Sequence, residues 1–240
     1  MNKKIIAFVS SRRNNSNTLK FVNQVKDKVN LNKIDFEIIT SKDMKYKDVY
    51  EFKIGMKDDI SELQKKIIDS DFVILASPIM VHNISADMKS FIERSSSWGH
   101  SMRLFGKKSY VITTNYSNGH MTGINYLSRI LTTFGTEVIG ASNAAECYPN
   151  QLNNSEWVDK VTSDIGKMIS KEVFQSPKSN NDLENIFSTL KNTMVYYKEA
   201  FEQKNDYILN AMQQEELKFW LNNNMLNYNT YEELLLDKED

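Results

Sequence analysis

A three-layer α/β sandwich around a five-stranded parallel sheet, with a helical extension after it, is the architecture this sequence predicts. Three observations predict it. Apolar runs of strand length alternate five times with segments of helical period. One run, Phe72-Val73-Ile74-Leu75-Ala76, is apolar without interruption, as a strand covered by helices on both faces requires. Only 8 glycines and 3 prolines stand among 240 residues, so breakers are sparse and helix should dominate.

The first strand is Lys4-Ile5-Ile6-Ala7-Phe8-Val9, and it feeds a polar loop, Ser10 to Thr18. From Asn17 to Val29 the apolar residues Leu19, Val22, Val25 and Val29 keep a helical spacing, with Ser16 or Asn17 as the cap. Asp35 to Thr40 alternates briefly and reads as the second strand. A connection without clear period, Ser41 to Lys57, follows and is long enough to hold an extra turn or to be functional. Asp58-Asp59-Ile60 opens the second helix, its acids complementing the helix dipole, and it runs to Asp69. The buried third strand then ends in Ser77-Pro78.

Ser85 to about Ser97 reads as one helix, Ser109 to Thr114 as the fourth strand, and Thr122 to Phe134 as a helix. Glu137 to Ala141 is the fifth strand, and Glu156 to about Glu172 the helix that closes the series. Crossovers between such strands are right-handed. Ser176 to Asn181 reads as a linker, which divides the chain into residues 1–175 and an extension at 176–240. In that extension Leu183, Phe187, Leu190, Met194, Tyr197 and Phe201 form a heptad seam for packing on the body or on a second subunit. A further helix is expected from about Tyr207 to Leu221. After the break at Asn222 to Asn224, Thr230 and Glu233 have capping-box spacing. Packing without chemistry is the favoured reading of this tail, with a lid over a larger substrate as the sharper alternative.

Hydrophobic residues at 40% and charged residues at 25% describe a soluble globular chain. Thirty Lys and Arg against 31 Asp and Glu leave no field that favours nucleic acid or an anionic membrane. Met1-Asn2-Lys3-Lys4 runs directly into a strand, so a cytoplasmic protein is expected. The single cysteine, Cys147, cannot build a multi-cysteine metal or iron–sulfur site, and His82, His100 and His120 lack metal-motif spacing. No metal is expected.

In a doubly wound sheet, ligands bind outside the carboxyl ends of the strands. Three loops leave such ends: Ser10 to Thr18, Ser77 to Ile84, and Thr114 to Gly123. In the first, amides at a helix start, hydroxyls of Ser11, Ser16 and Thr18, and a guanidinium from Arg12 or Arg13 can converge on a phosphate. The same residues also make an ordinary solvated loop with a helix cap, and both readings stand on the loop alone. The second loop sets apolar and amide groups side by side, as a flat heteroaromatic ring with polar edges needs. The third can close over such a ring. Together they describe a mononucleotide cofactor. Neither Gly-x-x-x-x-Gly-Lys-Ser/Thr nor Gly-x-Gly-x-x-Gly follows Val9. Nor does the third strand end in a phospho-acceptor aspartate, since Ser77-Pro78 stands there.

Ser10-Ser11-Arg12-Arg13-Asn14-Asn15-Ser16-Asn17-Thr18 resembles the phosphate loop of the NAD(P)H-dependent FMN reductase family, whose fold is flavodoxin-like. Asp71 to Ile79, with Ser85 to Arg94, is similar to that family's second signature, a strand ending in Ser-Pro before a helix with Met-Lys and Phe-Ile-acid-Arg. The resemblance covers residues 3 to 145. It implies that Ser11, Arg13, Ser16, Asn17 and Thr18 hold the FMN phosphate. It implies further that Pro78, Ile79, Met80, Val81, His82 and Asn83 line the ribityl chain and ring, and that Thr114, Asn115 and Gly119 complete the pocket. Two departures stand out. Ser10 replaces a glycine usual at the loop start, and Met80 replaces an aromatic, although its polarizable sulfur can still pack a ring face. A cysteine cluster that some relatives carry after the second strand is missing from Lys42 to Lys57, which excludes their iron–sulfur chemistry.

The resemblance thus implies an NAD(P)H oxidoreductase in which NADPH or NADH reduces FMN and an organic acceptor is then reduced. That acceptor is a quinone, a nitro or azo compound, a flavin, or an activated double bond such as a dehydroamino acid in a peptide. It also implies a homodimer. No residue is assigned as catalytic. For His82, His120, Tyr116 and Cys147, the candidate proton donors, packing or loop roles are favoured. The rival class is an FMN-binding electron carrier or redox-responsive interaction protein. A net charge of −1 speaks against the acidic docking surface of a carrier.

Overall fold

The computed structural model describes residues 2–53 and 55–237. The outer limits of the two expected divisions, at Met1 and Asp240, and Ile54 in the connection after the second strand lie outside the described residues. Two compact units share the chain: residues 1–95, 108–129 and 138–175 form the first, and residues 96–107, 130–137 and 176–240 the second.

In the first unit the elements are β1 (Lys3–Val9), α1 (Asn17–Lys28), β2 (Ile34–Thr40), α2 (Asp59–Ile68), β3 (Phe72–Pro78), α3 (Ala86–Arg94) and α6 (Ser155–Glu172), with most of β4 (Lys107–Asn115), α5 (His120–Thr133) and β5 (Thr136–Ala145). The sheet has the order β2-β1-β3-β4-β5, and β1 pairs in parallel with both β2 and β3, as β3 does with β4. Successive side chains of β1 are divided between two helical layers. Ile5, Ala7 and Val9 enter one core with Phe21, Val22 and Val25 of α1 and Ile165 and Ile169 of α6. On the other face Phe8 meets Phe91 of α3 with ring centroids 5.3 Å apart. Burial on both faces is what the unbroken apolar run of β3 implies.

The register brings the carboxyl ends level. Val9 stands beside Thr40 and Ala76, and Ser77 and Pro78 beside Thr113 and Thr114. The aperiodic connection after β2 is fixed by Arg94, whose side chain is 2% exposed. It donates to the Lys47 carbonyl at 2.6 Å, pairs with Asp58 at 2.7 Å, and lies 3.3 Å over the Phe52 ring.

Three boundaries differ from the sequence expectation. The helix from Ser85 ends at Arg94, because the Ser95 hydroxyl donates back to the Phe91 carbonyl and a separate helix, α4 (Ser96–Ser101), begins. β5 runs on to Ala145, because the polar Asn143 is held by Thr113 and Asn115 at 2.9 Å each. The helix expected from Tyr207 is α8 (Ala211–Asn222), started by a capping box between Asn210 and Gln213.

The second unit carries α4, α7 (Asn181–Phe201), α8 and α9 (Tyr231–Leu236). Leu183, Phe187 and Met194 of the heptad seam are buried in this unit's own core, with Phe187 stacked on Trp220 at 5.3 Å and tilted against Tyr231 at 5.8 Å. Most of the seam is therefore covered by helices of the same unit; Phe201, at its end, is exposed. The Tyr231 hydroxyl donates to the Gly135 carbonyl at 2.6 Å, and the Trp220 indole to the His100 carbonyl at 3.1 Å. The capping box of Thr230 and Glu233 forms as its spacing predicts. Among the described residues no helix is long and apolar enough to cross a membrane.

Candidate functional site

Three loops leave the carboxyl ends of β1, β3 and β4, and each is fixed differently. In the first, Ser10 is buried: its N–H donates to the Ala76 carbonyl at 2.9 Å, and the Ser85 hydroxyl reaches its carbonyl at 2.9 Å. Ser10 has no left-handed backbone, so the turn does not need a glycine there. Ser16 caps α1, its hydroxyl accepting from the Leu19 N–H at 3.1 Å. Arg12 is bound to Asp87, whereas Arg13 makes no hydrogen bond or ion pair among the described residues.

The second loop is a tight hairpin turn. Met80 and Asn83 exchange backbone bonds of 2.7 and 3.0 Å, with Val81 at φ 47° and His82 at φ 64° between them. Left-handed backbone at a β-branched residue costs on the order of 1–3 kcal/mol. The tip is held from both sides nonetheless. Ile79 N–H donates to the Thr114 carbonyl at 2.7 Å, and Ser85 N–H to the Ser77 hydroxyl at 3.0 Å.

In the third loop the Asn115 amide is satisfied internally, donating to the Asn118 carbonyl and accepting from Asn143, each at 2.9 Å. Gly119 has φ 79°, and a Cβ there would sit 2.8 Å from the His82 Cα. Only glycine lets this loop close onto the second.

The loops enclose a cavity of about 300 Å³ lined by Ser11, Arg13, Asn15, Ser16, Asn17, Thr18, Pro78, Ile79, Met80, Thr114, Asn115, Tyr116 and Glu146. Ten of the residues expected from sequence are thus brought together around one space. The other four are not in its wall. Val81, 96% exposed, is the turn's tip, Asn83 closes the turn, and His82 and Gly119 pack on one another. Three lining residues were not expected as ligands. Asn15 sits within the anion loop and carries no signal beyond its neighbours. For Tyr116 the sequence suggests a proton donor alone, and Glu146 follows a β5 longer than its apolar run.

The wall has a polar end and an apolar side. Near the start of α1, hydroxyls and the unpaired Arg13 offer donors to an anion. The Thr18 and Thr114 hydroxyls, buried and 2.6 Å apart, tie this end to β4. Pro78, Ile79 and the half-exposed Met80 supply the apolar side. The Cys147 N–H donates to the Tyr116 carbonyl at 2.8 Å, and the nearby Cys147 side chain pushes the Tyr116 phenol above its ordinary value. Among the described residues no cluster of three or more metal-ligating side chains occurs.

A sheet of order 2-1-3-4-5 whose carboxyl ends carry a polar loop at the β1/β3 switch is the flavodoxin-like class, and the cavity stands where that class binds its ligand. The profile of the NADPH-dependent FMN reductases matches residues 3–148, and the chain belongs to that family. The family is one of NAD(P)H-dependent flavin oxidoreductases that use FMN. An iron–sulfur flavoprotein from Archaeoglobus fulgidus is 32% identical over 133 residues, which are 53% of this chain and 59% of that protein. The chain therefore matches about three fifths of the length of that curated relative. Among solved structures, an NADH:FMN oxidoreductase in its apo form aligns with a TM-score of 0.58 at 18% identity, over 76% of this chain and 94% of that one. A flavodoxin, WrbA-like protein from Agrobacterium tumefaciens aligns with a TM-score of 0.50 at 14% identity, over 69% and 94%.

The cavity's donor set fits FMN. A phosphate needs donors and an uncommitted cation, which the first loop has. A ring needs an apolar wall with polar edges, which Pro78, Ile79 and Met80 beside Thr114 and Tyr116 provide.

Proposed function

We propose that this chain is an FMN-dependent NAD(P)H oxidoreductase that reduces an organic acceptor: a quinone, a nitro or azo compound, a free flavin, or an activated double bond such as a dehydroamino acid in a peptide. The observation that carries the reading is one cavity joining the unpaired Arg13 and the start of α1 to the wall of Pro78, Ile79 and Met80. Bound FMN would supply the hydride chemistry itself.

The chain's own residues then bind and orient. Arg13, Ser11 and the amides at the start of α1 hold the phosphate. Thr18 and Thr114 close the floor beneath it. Pro78, Ile79 and Met80 exclude water from one side of the ring, and Thr114 and the Asn115 backbone border its edge. The exposed Met80 and Tyr116 leave a mouth through which nicotinamide and then acceptor reach the ring in turn. A small-molecule or peptide acceptor suits this opening.

Residues 1–175 would act as the FMN-binding domain and 176–240 as an added helical extension. The working form would be a cytoplasmic homodimer. Light scattering tests the dimer.

The visible spectrum of the purified protein, before and after adding FMN, tests the central reading. Flavin absorption that bleaches on anaerobic addition of NADH or NADPH, and returns with one of the acceptors, is the expected result. Protein that takes up no FMN sinks the reading. Bound flavin inert to both nucleotides points instead to an electron carrier or redox-responsive protein.

A further inference from the structure

The two arginines of the first loop are neighbours in sequence, yet only Arg13 lines the cavity. Arg12 is held by Asp87, the second residue of α3. Its Nε donates to the two carboxylate oxygens at 3.0 and 2.9 Å, and its Nη2 donates to Oδ1 at 2.7 Å. Two further donors complete the carboxylate: the Ser41 hydroxyl at 2.9 Å and the Tyr46 hydroxyl at 2.5 Å. Arg12 also reaches the Tyr46 hydroxyl at 3.4 Å and lies 5.7 Å over its ring. One carboxylate on α3 thus gathers the loop after β1, the end of β2 and the connection that follows it.

This is not an ordinary surface ion pair. The Asp87 side chain is 12% exposed, its bond to Arg12 is bidentate, and Arg12 has little freedom left to turn toward the cavity. Two residues earlier, at the cap of the same helix, the Ser85 hydroxyl grips the Ser10 carbonyl. Burial alone would raise the Asp87 carboxyl, but the bonds from Arg12, Tyr46 and Ser41 bring it below the usual carboxylate range.

We propose that Asp87 is a positioning residue that sets the course of the phosphate loop: by holding Arg12 outside the cavity it leaves Arg13 and the amides of the loop turned toward the ligand's phosphate. The assignment rests on the FMN reading above. It concerns how tightly a phosphate is held, not whether a flavin ring fits, and that distinction is measurable.

Dissociation constants for FMN and for riboflavin, which lacks the phosphate, are measured for the wild type, Asp87→Asn, Asp87→Glu, Arg12→Ala and the double variant Asp87→Asn with Arg12→Ala. Asp87→Asn should weaken FMN about tenfold, through lost pre-organisation of the loop, while riboflavin changes less than about twofold. Arg12→Ala should match it, the double variant should be no worse than either single one, and Asp87→Glu should recover much of the loss. Equal weakening of both flavins in Asp87→Asn, unchanged FMN, or tighter FMN through a released Arg12 overturns the proposal while FMN binding by the wild type stands. Wild-type protein that binds no FMN overturns the FMN reading and this assignment with it. If Asp87→Asn fails to fold, Tyr46→Phe removes one donor at lower structural cost. FMN weakened with riboflavin unaffected supports the proposal there, and unchanged FMN overturns it.

Discussion

The loops after β1 and β3 leave neighbouring parallel strands at the same level, yet they reach their shapes by opposite means. The first is polar and unstrained. Side chains fix its course: Ser10 is held by Ser85, Arg12 by Asp87, and Ser16 by the helix it caps. The second is strained and held by backbone. Val81 and His82 are forced into left-handed conformations between the paired Met80 and Asn83, and the turn leans on Gly119. A loop that must meet an anion keeps donors ready on its own chain. A loop that must present a flat apolar wall can rely on a stiff turn whose cost is met by its neighbours.

The comparison can be broken most sharply at Gly119. Gly119→Val forces a side chain into the His82 backbone at a positive φ, and should destabilise the protein by about 3 kcal/mol in urea unfolding. It should also disturb the second loop while sparing the first. A loss below about 1 kcal/mol would show that the turn does not need this contact.

Arg13→Ala acts on the first loop alone. It should weaken FMN by roughly 1.5–3 kcal/mol, the worth of a charge-assisted bond, and leave riboflavin unaffected. Titration by flavin fluorescence distinguishes this from a loss of the whole pocket. Unchanged FMN affinity would remove the phosphate role from Arg13.

Val81→Gly should do the reverse of most loop substitutions. Relief of the left-handed strain outweighs the entropy of the added glycine, for a net gain near 0.5–1 kcal/mol. Because Val81 is 96% exposed, little packing is lost in exchange. A lower melting temperature would mean the turn is not strained.

Acid separates the loops by a smaller margin. The Asp87 carboxyl is depressed in the folded protein, so its contribution is present above the unfolded value of about 3.9 and fades as pH falls through the lower folded value. Amide exchange in the first loop should quicken across that window. The second loop's turn is closed by backbone bonds and should not respond.

Much of this arrangement is legible without coordinates, because the strands announce themselves by apolar runs and the helices by caps. Ser16 and Thr230 cap helices as the sequence anticipates, and Asp58 and Ser85, expected as the first residues of their helices, are their caps. What stays hidden depends on contacts distant in sequence. Ser142 to Ala145 carries no apolar alternation, and it is held beside β4 by polar side chains: Ser142 by Tyr110, and Asn143 by Thr113 and Asn115. Glu146, which follows directly, is silent in the sequence for that reason. The division of labour between Arg12 and Arg13 needs Asp87, 75 residues further on. Left-handed Val81 breaks the local preference of a β-branched residue, so no pattern in the sequence reports the turn.

Ser85 and Asp87 lie within one turn of α3, and from there they hold the first loop; Ser85 holds the second as well, through Ser77, and the second holds the third through Ile79 and Gly119. The rim of the cavity is in this sense a single body hinged nowhere. On the proposed function, guests would come and go by rotation of the exposed Met80 and Tyr116 side chains, on the picosecond-to-nanosecond scale of rotamers, so that the mouth would act as a sieve rather than a door.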